Sequence, residues 1–218
     1  MSPASRKSPS PARQKPAGRP RGADSERSHD ALLAAARLHF ARRGFGPANV
    51  REIAEAAGYT TSTLYHYFGD KQGLYVEVYR DAERRVAAAD RAAVDRDGTR
   101  QARLLALLEA AIELHRVDES VPLFLAAVPL DIRRHPALGA VIREVPIETP
   151  AILARFVAGP GTTTPAQLVT LITSVTIGMA LSIGEGGHRA YAATLRACGA
   201  HLQLDGEVRQ KKKKTAWP

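Results

Sequence analysis

The chain holds one cysteine, Cys198, among 218 residues. A single thiol forms no internal disulfide and no cysteine-based zinc site, which excludes a disulfide-stapled scaffold and a zinc finger and suits a reducing, cytoplasmic compartment. Residues 1–22 lack any apolar run, so no secretory signal is expected. The longest apolar stretch, Leu168–Ile183, is interrupted by Thr170, Thr173, Ser174 and Thr176. It falls short of the roughly 20 residues a bilayer span needs, so a buried helix is expected and a membrane partner is not. Alternating strand patterns and internal repeats are missing. So are a Ser/His/Asp order, a phosphate-cradling glycine loop and a metal-spaced His/Glu pair. "GEGGH" (184–188) follows no strand, which removes the nucleotide fingerprint. No enzyme, no cofactor and no metal is expected.

Acidic residues are absent from both ends. Residues 1–22 carry +6 and residues 209–218 carry +5, against a net charge of +9 for the whole chain. The body from 23 to 208 is therefore −2. Basicity belongs to the tails, and the pI alone does not make the body a nucleic-acid binder.

What is present is helical periodicity. Residues 1–22 cannot bury apolar area and read as a disordered basic arm. Leu32, Leu33, Ala35, Ala36 and Phe40 predict a first helix over 25–43, with Arg42 and Arg43 at its negative end and Gly44 at the left-handed stop. Asn49 and Glu52 resemble a capping box for a second helix that ends at Gly58. Thr60 can cap a third helix, with Leu64 and Phe68 inward and Gly69 as its stop, and Asp70 caps a fourth. Two short helices joined by a tight glycine turn behind a longer one form a helix-turn-helix unit. Beyond it, 103–116 carries an apolar face. Pro122, Pro129, Pro136, Pro146 and Pro150 are expected to chop the middle into short helices. Thr164, Pro165 and Gln167 start a helix running to about Gly184, and a last helix spans about 188–203.

The third helix is unusually polar. With Leu64 and Phe68 inward, Thr61, Ser62, Tyr65 and His66 face largely outward, with Thr63 and Tyr67 at the flanks. Small hydroxyls at a helix N-terminus let the backbone approach phosphates and bond base edges, and the rings one turn later reach further. Lys71 opposes the dipole of its own helix, which a phosphate partner would explain. This suits a recognition helix entering the major groove of double-stranded DNA; the bland alternative is a solvated helix with one buried ring.

Residues 32–80, "LLAAARLHFARRGFGPANVREIAEAAGYTTSTLYHYFGDKQGLYVEVY", resemble the DNA-binding domain of TetR-type transcriptional regulators through "AA…F…GF", "IAEAAG", "LYHYF" and "DKQGL". The resemblance implies DNA contacts at Arg51 in the second helix and at Thr61, Ser62, Thr63, Tyr65 and His66 in the third, with Tyr67 and Lys71 on phosphate. Asn49 stands where threonine is usual and can still cap and touch phosphate; Thr60 replaces the common serine and completes the set. The expected fold is all-α: an N-terminal three-helix helix-turn-helix domain (23–70), then a larger helical ligand-binding and dimerisation domain (71–205), between the basic arm (1–22) and a basic tail (206–218).

Arg19 and Arg21 in "GRPRG" could add phosphate contact from the arm. Thr170, Ser174, Gly178 and Ser182 form a row of small residues that lets another helix approach. The resemblance implies that the last two long helices form a homodimer interface. His115 extends an apolar face and is the candidate pocket residue for a small-molecule effector. The function expected is a homodimeric repressor, released from a palindromic operator by a small, mostly apolar molecule. The rival is an architectural protein binding DNA through its tails.

Overall fold

The computed structural model describes residues 21–157, 164–182 and 187–201. Among these residues every regular element is an α-helix: α1 (Arg21–Arg43), α2 (Val50–Ala56), α3 (Thr61–Phe68), α4 (Lys71–Val94), α5 (Arg100–Val117), α6 (Ser120–Arg134), α7 (Pro136–Arg143), α8 (Thr149–Val157), α9 (Pro165–Ser182) and α10 (Gly187–His201). No helix among them is long and apolar enough to cross a membrane, and no group of three metal-ligating side chains gathers.

Side-chain caps set several of the helix starts. Asn49 accepts from Arg51 N, Thr60 from Thr63 N, Asp70 from Gly73 N and Thr99 from Ala102 N. Each answers one of the donors that a helix start leaves without a partner. Thr164 and Gln167 form the reciprocal box expected of them. The Asn49/Glu52 box forms by half: Glu52 pairs instead with Arg43 at the end of α1. A guanidinium is a stronger partner for that carboxylate than a backbone N–H.

Two expectations are corrected. α1 begins at Arg21, four residues before the start expected at Ser25. The prolines do not all divide the chain, since α6 runs through both Pro122 and Pro129. Pro122 lies in the first turn, where no intrahelical N–H is needed, whereas Pro129 is interior and removes one rung. Pro136 opens α7 and Pro150 lies in the first turn of α8, places where proline's fixed φ suits a helix.

The first core cluster joins Leu32, Ala36 and Phe40 of α1 with Ile53, Leu64, Phe68, Leu74 and Tyr75. It continues without a break into Val121, Phe124 and Val128 of α6 and Leu138 and Ile142 of α7. Full burial of one such side chain is worth about 1.5–3 kcal/mol, so the helix-turn-helix head is held to the body by hydrophobic area. Two further clusters bring together the distal half of α4 with α5, α8 and α9, and α5 with α9 and α10.

Charged groups stitch the same seam. Arg37 of α1 is 2% exposed. It donates to Ser120 Oγ at 2.9 Å, to Asp81 Oδ2 of α4 at 2.8 Å, and to Asp118 ahead of α6. Burial disfavours the charge on Asp118, but the Ser120 hydroxyl and the Arg37 guanidinium outweigh it and hold that carboxyl below its ordinary range. Asp131 of α6, also 2% exposed, accepts from Phe45 N at 2.9 Å and from the Tyr75 hydroxyl at 3.0 Å. Gly44 (φ 76°) closes α1 here, and a Cβ on it would lie 2.8 Å from Asp131 Oδ1. Only glycine meets both conditions.

Candidate nucleic-acid interface

α3 is anchored by Leu64 and Phe68. Opposite them, Ser62, Tyr65 and His66 are exposed and Thr63 half-buried, as the periodicity predicts, whereas Thr61, expected outward, is also half-buried. Tyr65 is 46% exposed although it is a large ring. Thr60 Oγ1 accepts from Thr63 N at 3.1 Å and lies 2.9 Å from Thr63 Oγ1. The hydroxyl cluster is therefore ordered within the first turn of α3.

Tyr67, Lys71 and Arg51, all expected to face DNA, have side-chain partners inside the chain. Tyr67 Oη lies 3.0 Å from Ser25 Oγ, and its ring meets His29 edge-on at 5.9 Å. Lys71 donates to the Gly46 carbonyl at 2.8 Å, with Nζ 4.9 Å from the Phe45 ring centroid. Partial burial pushes the Lys71 ammonium below its ordinary pKa, with the charge of Asp131 opposing. Arg51 donates to Glu55 at 2.8 Å on the exposed face of α2. Lys71 and Arg51 keep donors to spare, since an ammonium has three N–H groups and a guanidinium five, whereas the single O–H of Tyr67 is directed at Ser25. Asn49 is exposed and caps α2 through Oδ1, so its side-chain N–H groups are not used by the cap. Arg19 lies outside the described residues, and of Arg21 only the helical backbone is described.

The second feature is a cavity of about 400 Å³ between α4, α5, α6, α8 and α9, closed on one side by Tyr191 of α10. Its wall is apolar for the most part, with Val86, Leu107, Leu125, Val128, Ile132 and Ile172 among the lining residues. Two carboxylates interrupt it, Glu83 and Asp90, on one face of α4. Burial pushes the Glu83 carboxyl up against the opposing hydrogen bonds of Thr149 and Tyr79. Burial also pushes Asp90 up to about 7, and the charge of Glu83 adds to this. Among the described residues, no lysine, arginine or histidine lines this cavity.

His115 is buried but stands one layer behind that wall. Its ring stacks on Tyr191 with centroids 4.4 Å apart and 16° between planes, because the apolar face of α5 packs against α10. Glu83 and Asp90 went unnoticed in the sequence. The signal that would have found them is an i, i+7 pair of acids on the helical face that also carries Tyr79 and Val86. The seam residues Arg37 and Asp131 join partners 44 to 86 positions apart, and no local pattern marks such pairs. On α9, Thr170 and Ser174 are exposed and Gly178 half-buried; the side chain of Ser182 lies outside what is described.

Residues 32–78 match the family of bacterial regulatory proteins, tetR family, through its N-terminal domain. The HTH-type transcriptional repressor AcnR of Corynebacterium glutamicum is 37% identical over 60 residues, 28% of this chain and 32% of that protein. The HTH-type transcriptional repressor KstR2 of Mycolicibacterium smegmatis is 44% identical over 52 residues, 24% of this chain and 25% of that one. The match thus spans only about a quarter to a third of these relatives' length. A transcriptional regulator of Rhodococcus sp. Rha1 is similar in fold throughout, with a TM-score of 0.63 at 22% identity, covering 79% of this chain and 94% of that structure. The matched segment coincides with the helix-turn-helix head, and the fold likeness extends over the helical body. Residues 32–78 thus carry the N-terminal domain of the tetR family of bacterial regulatory proteins, and the helical body shares the fold of a solved transcriptional regulator.

Proposed function

We propose that this chain is a ligand-responsive repressor that binds a palindromic operator as a homodimer and leaves it when a small molecule fills the cavity. The observation that carries this reading is the sharing of α4 and α6. Val86, Asp90, Val128 and Ile132 line the cavity, while Tyr75 and Asp131 of the same two helices hold the α1–α2 turn of the head. A ligand that binds one arrangement of these helices better than another shifts the head with them; one of equal affinity shifts nothing.

Thr61, Ser62, Thr63, Tyr65 and His66 would enter the major groove, with Asn49, Arg51, Thr60, Tyr67 and Lys71 on the flanking backbone. Arg19 and Arg21 would add salt-dependent phosphate contact. Footprinting tests the assignment. Tyr67→Phe and Lys71→Ala are expected to weaken binding to all sequences alike, by about fivefold to tenfold, since each removes general backbone contact. Thr63→Ala is expected also to change sequence preference. Undiminished affinity in all three would sink the assignment.

Two reading heads must be linked at about 34–36 Å or a multiple of it, and α9 offers the seam. Leu171 and Leu181 are 40% and 60% exposed beside Thr170 and Ser174. A Cβ on Gly178 would meet nothing within 4 Å of its own chain. A mid-helix glycine costs about 1 kcal/mol relative to alanine, a cost that close approach of a second copy would offset. Gly178→Ala is therefore expected to raise the dimer dissociation constant about tenfold in sedimentation velocity. If the seam is elsewhere, the same change stabilises the chain and leaves self-association unchanged.

A further inference from the structure

The proposed effector cavity carries more chemical information than its size. Among the described residues its wall holds two carboxylates and no basic side chain, and its other lining groups are apolar or uncharged. We infer that its ligand is a lipophilic organic cation: an apolar body of aromatic or alicyclic rings bearing a protonated amine or quaternary nitrogen. The inference rests on the reading of this cavity as the effector site.

The argument is one of charge compensation. Glu83 and Asp90 are half-buried, and a carboxylate facing an apolar cavity ordinarily has a cation or several donors beside it, because an uncompensated charge in such a wall is costly. Glu83 has part of such a shell: Thr149 Oγ1 donates to its Oε2 at 3.2 Å, and the Tyr79 hydroxyl is its second partner. For Asp90 the surroundings supply only burial and the like charge of Glu83. The groups of the wall that titrate are Tyr79, Glu83 and Asp90 from α4 and Tyr191 from α10. Both tyrosines are pushed up by burial, Tyr191 to about 12, so neither supplies charge near neutrality.

Each ligand class meets this wall differently. A fatty acid or other carboxylate would place a third negative charge among two. A neutral hydrocarbon would leave both carboxyls as they are. A cation supplies the missing charge, and aromatic Tyr79 and Tyr191 at the wall favour it further. Occupancy would stabilise ionised Asp90 and so release a proton.

Tetraphenylphosphonium and tetraphenylborate test this on the full-length protein, since they match in size and apolar surface and differ in sign. N-phenyl-1-naphthylamine, neutral and fluorescent, reports the cavity itself. The cation is expected to bind at least tenfold more tightly than the anion by calorimetry. Its affinity should rise about tenfold or more from pH 5.5 to 8.5, because protonated Asp90 has no charge to offer. Asp90→Asn and Glu83→Gln should each lose about tenfold for the cation while still binding the naphthylamine, which also reports that both variants fold.

Equal or tighter binding of the borate overturns the cation assignment. So does cation affinity that both variants retain. If the naphthylamine binds while the cation does not, the ligand class is wrong and the cavity reading survives. If neither probe binds, the cavity reading falls along with it.

Discussion

Asp131→Ala is expected to lower the melting temperature by roughly 6–12 °C and to weaken operator binding, although Asp131 lies on the sixth helix and far along the chain from α3. Its carboxylate accepts from Phe45 N and from the Tyr75 hydroxyl, and it is 2% exposed. Burial and the Asp131 charge push the Tyr75 pKa far up, so that hydroxyl is a neutral donor at every pH of interest. Alanine leaves both donors buried without an acceptor. An orphaned buried group costs about 1–3 kcal/mol, so about 3 kcal/mol is expected for the pair. In a chain of this size each kcal/mol moves the midpoint by about 2–4 °C. The same change frees the turn after α1, which sets the entry of α2 and so the aim of α3. Asp131→Asn keeps one acceptor oxygen and should fall between. Thermal unfolding and operator titration check both; an Ala variant that melts like the parent would show that the bonds contribute nothing net.

Gly73→Ala is expected to reduce operator affinity on the order of 100-fold. A Cβ there would fall inside van der Waals contact of the Phe68 carbonyl oxygen, a backbone atom at the end of α3. No side chain can swing away to relieve this, so α3 and α4 must separate. Overpacking of this kind costs about 1–3 kcal/mol in stability, and on the proposed reading of α3 its misaiming would remove several groove contacts together. Gly58→Ala is the control. Its φ of 79° is strained for alanine, yet the added Cβ meets nothing within 4 Å. It should cost about 1–2 kcal/mol in thermal stability and at most about fivefold in affinity. Electrophoretic shift titrations of the two variants separate clash from strain; equal losses would refute the steric argument.

How much was legible beforehand divides by range. Caps and stops act within four residues, and there the sequence spoke clearly: Thr60, Asp70 and the Thr164–Gln167 pair all function as expected. The polar outer face of α3 followed from the inward spacing of Leu64 and Phe68. The prolines misled because their effect depends on where in a helix they fall, and the start of α6 at Ser120 had no strong local sign. Tyr67 and Lys71 were read as free to meet phosphate, whereas Ser25 and Gly46 already engage them. Those partners stand 42 and 25 positions away, beyond any local pattern. His115 was expected in the pocket because an apolar face was read without knowing which helix would cover it.

The seam formed by Arg37, Asp81, Asp118, Ser120 and Asp131 bears on how such proteins can be recombined. Identity to AcnR and KstR2 is confined to a segment of about 60 residues, so the heads look interchangeable. A head transplanted onto this body, however, would have to bring an arginine at position 37 and a glycine at position 44. Without them it leaves half-buried Asp118 without its guanidinium, and buried Asp131 against a foreign turn with Tyr75 as its remaining partner. Exchange of modules here is therefore restricted to heads that carry the matching half of the joint, and single changes within the joint are penalised before a second can compensate.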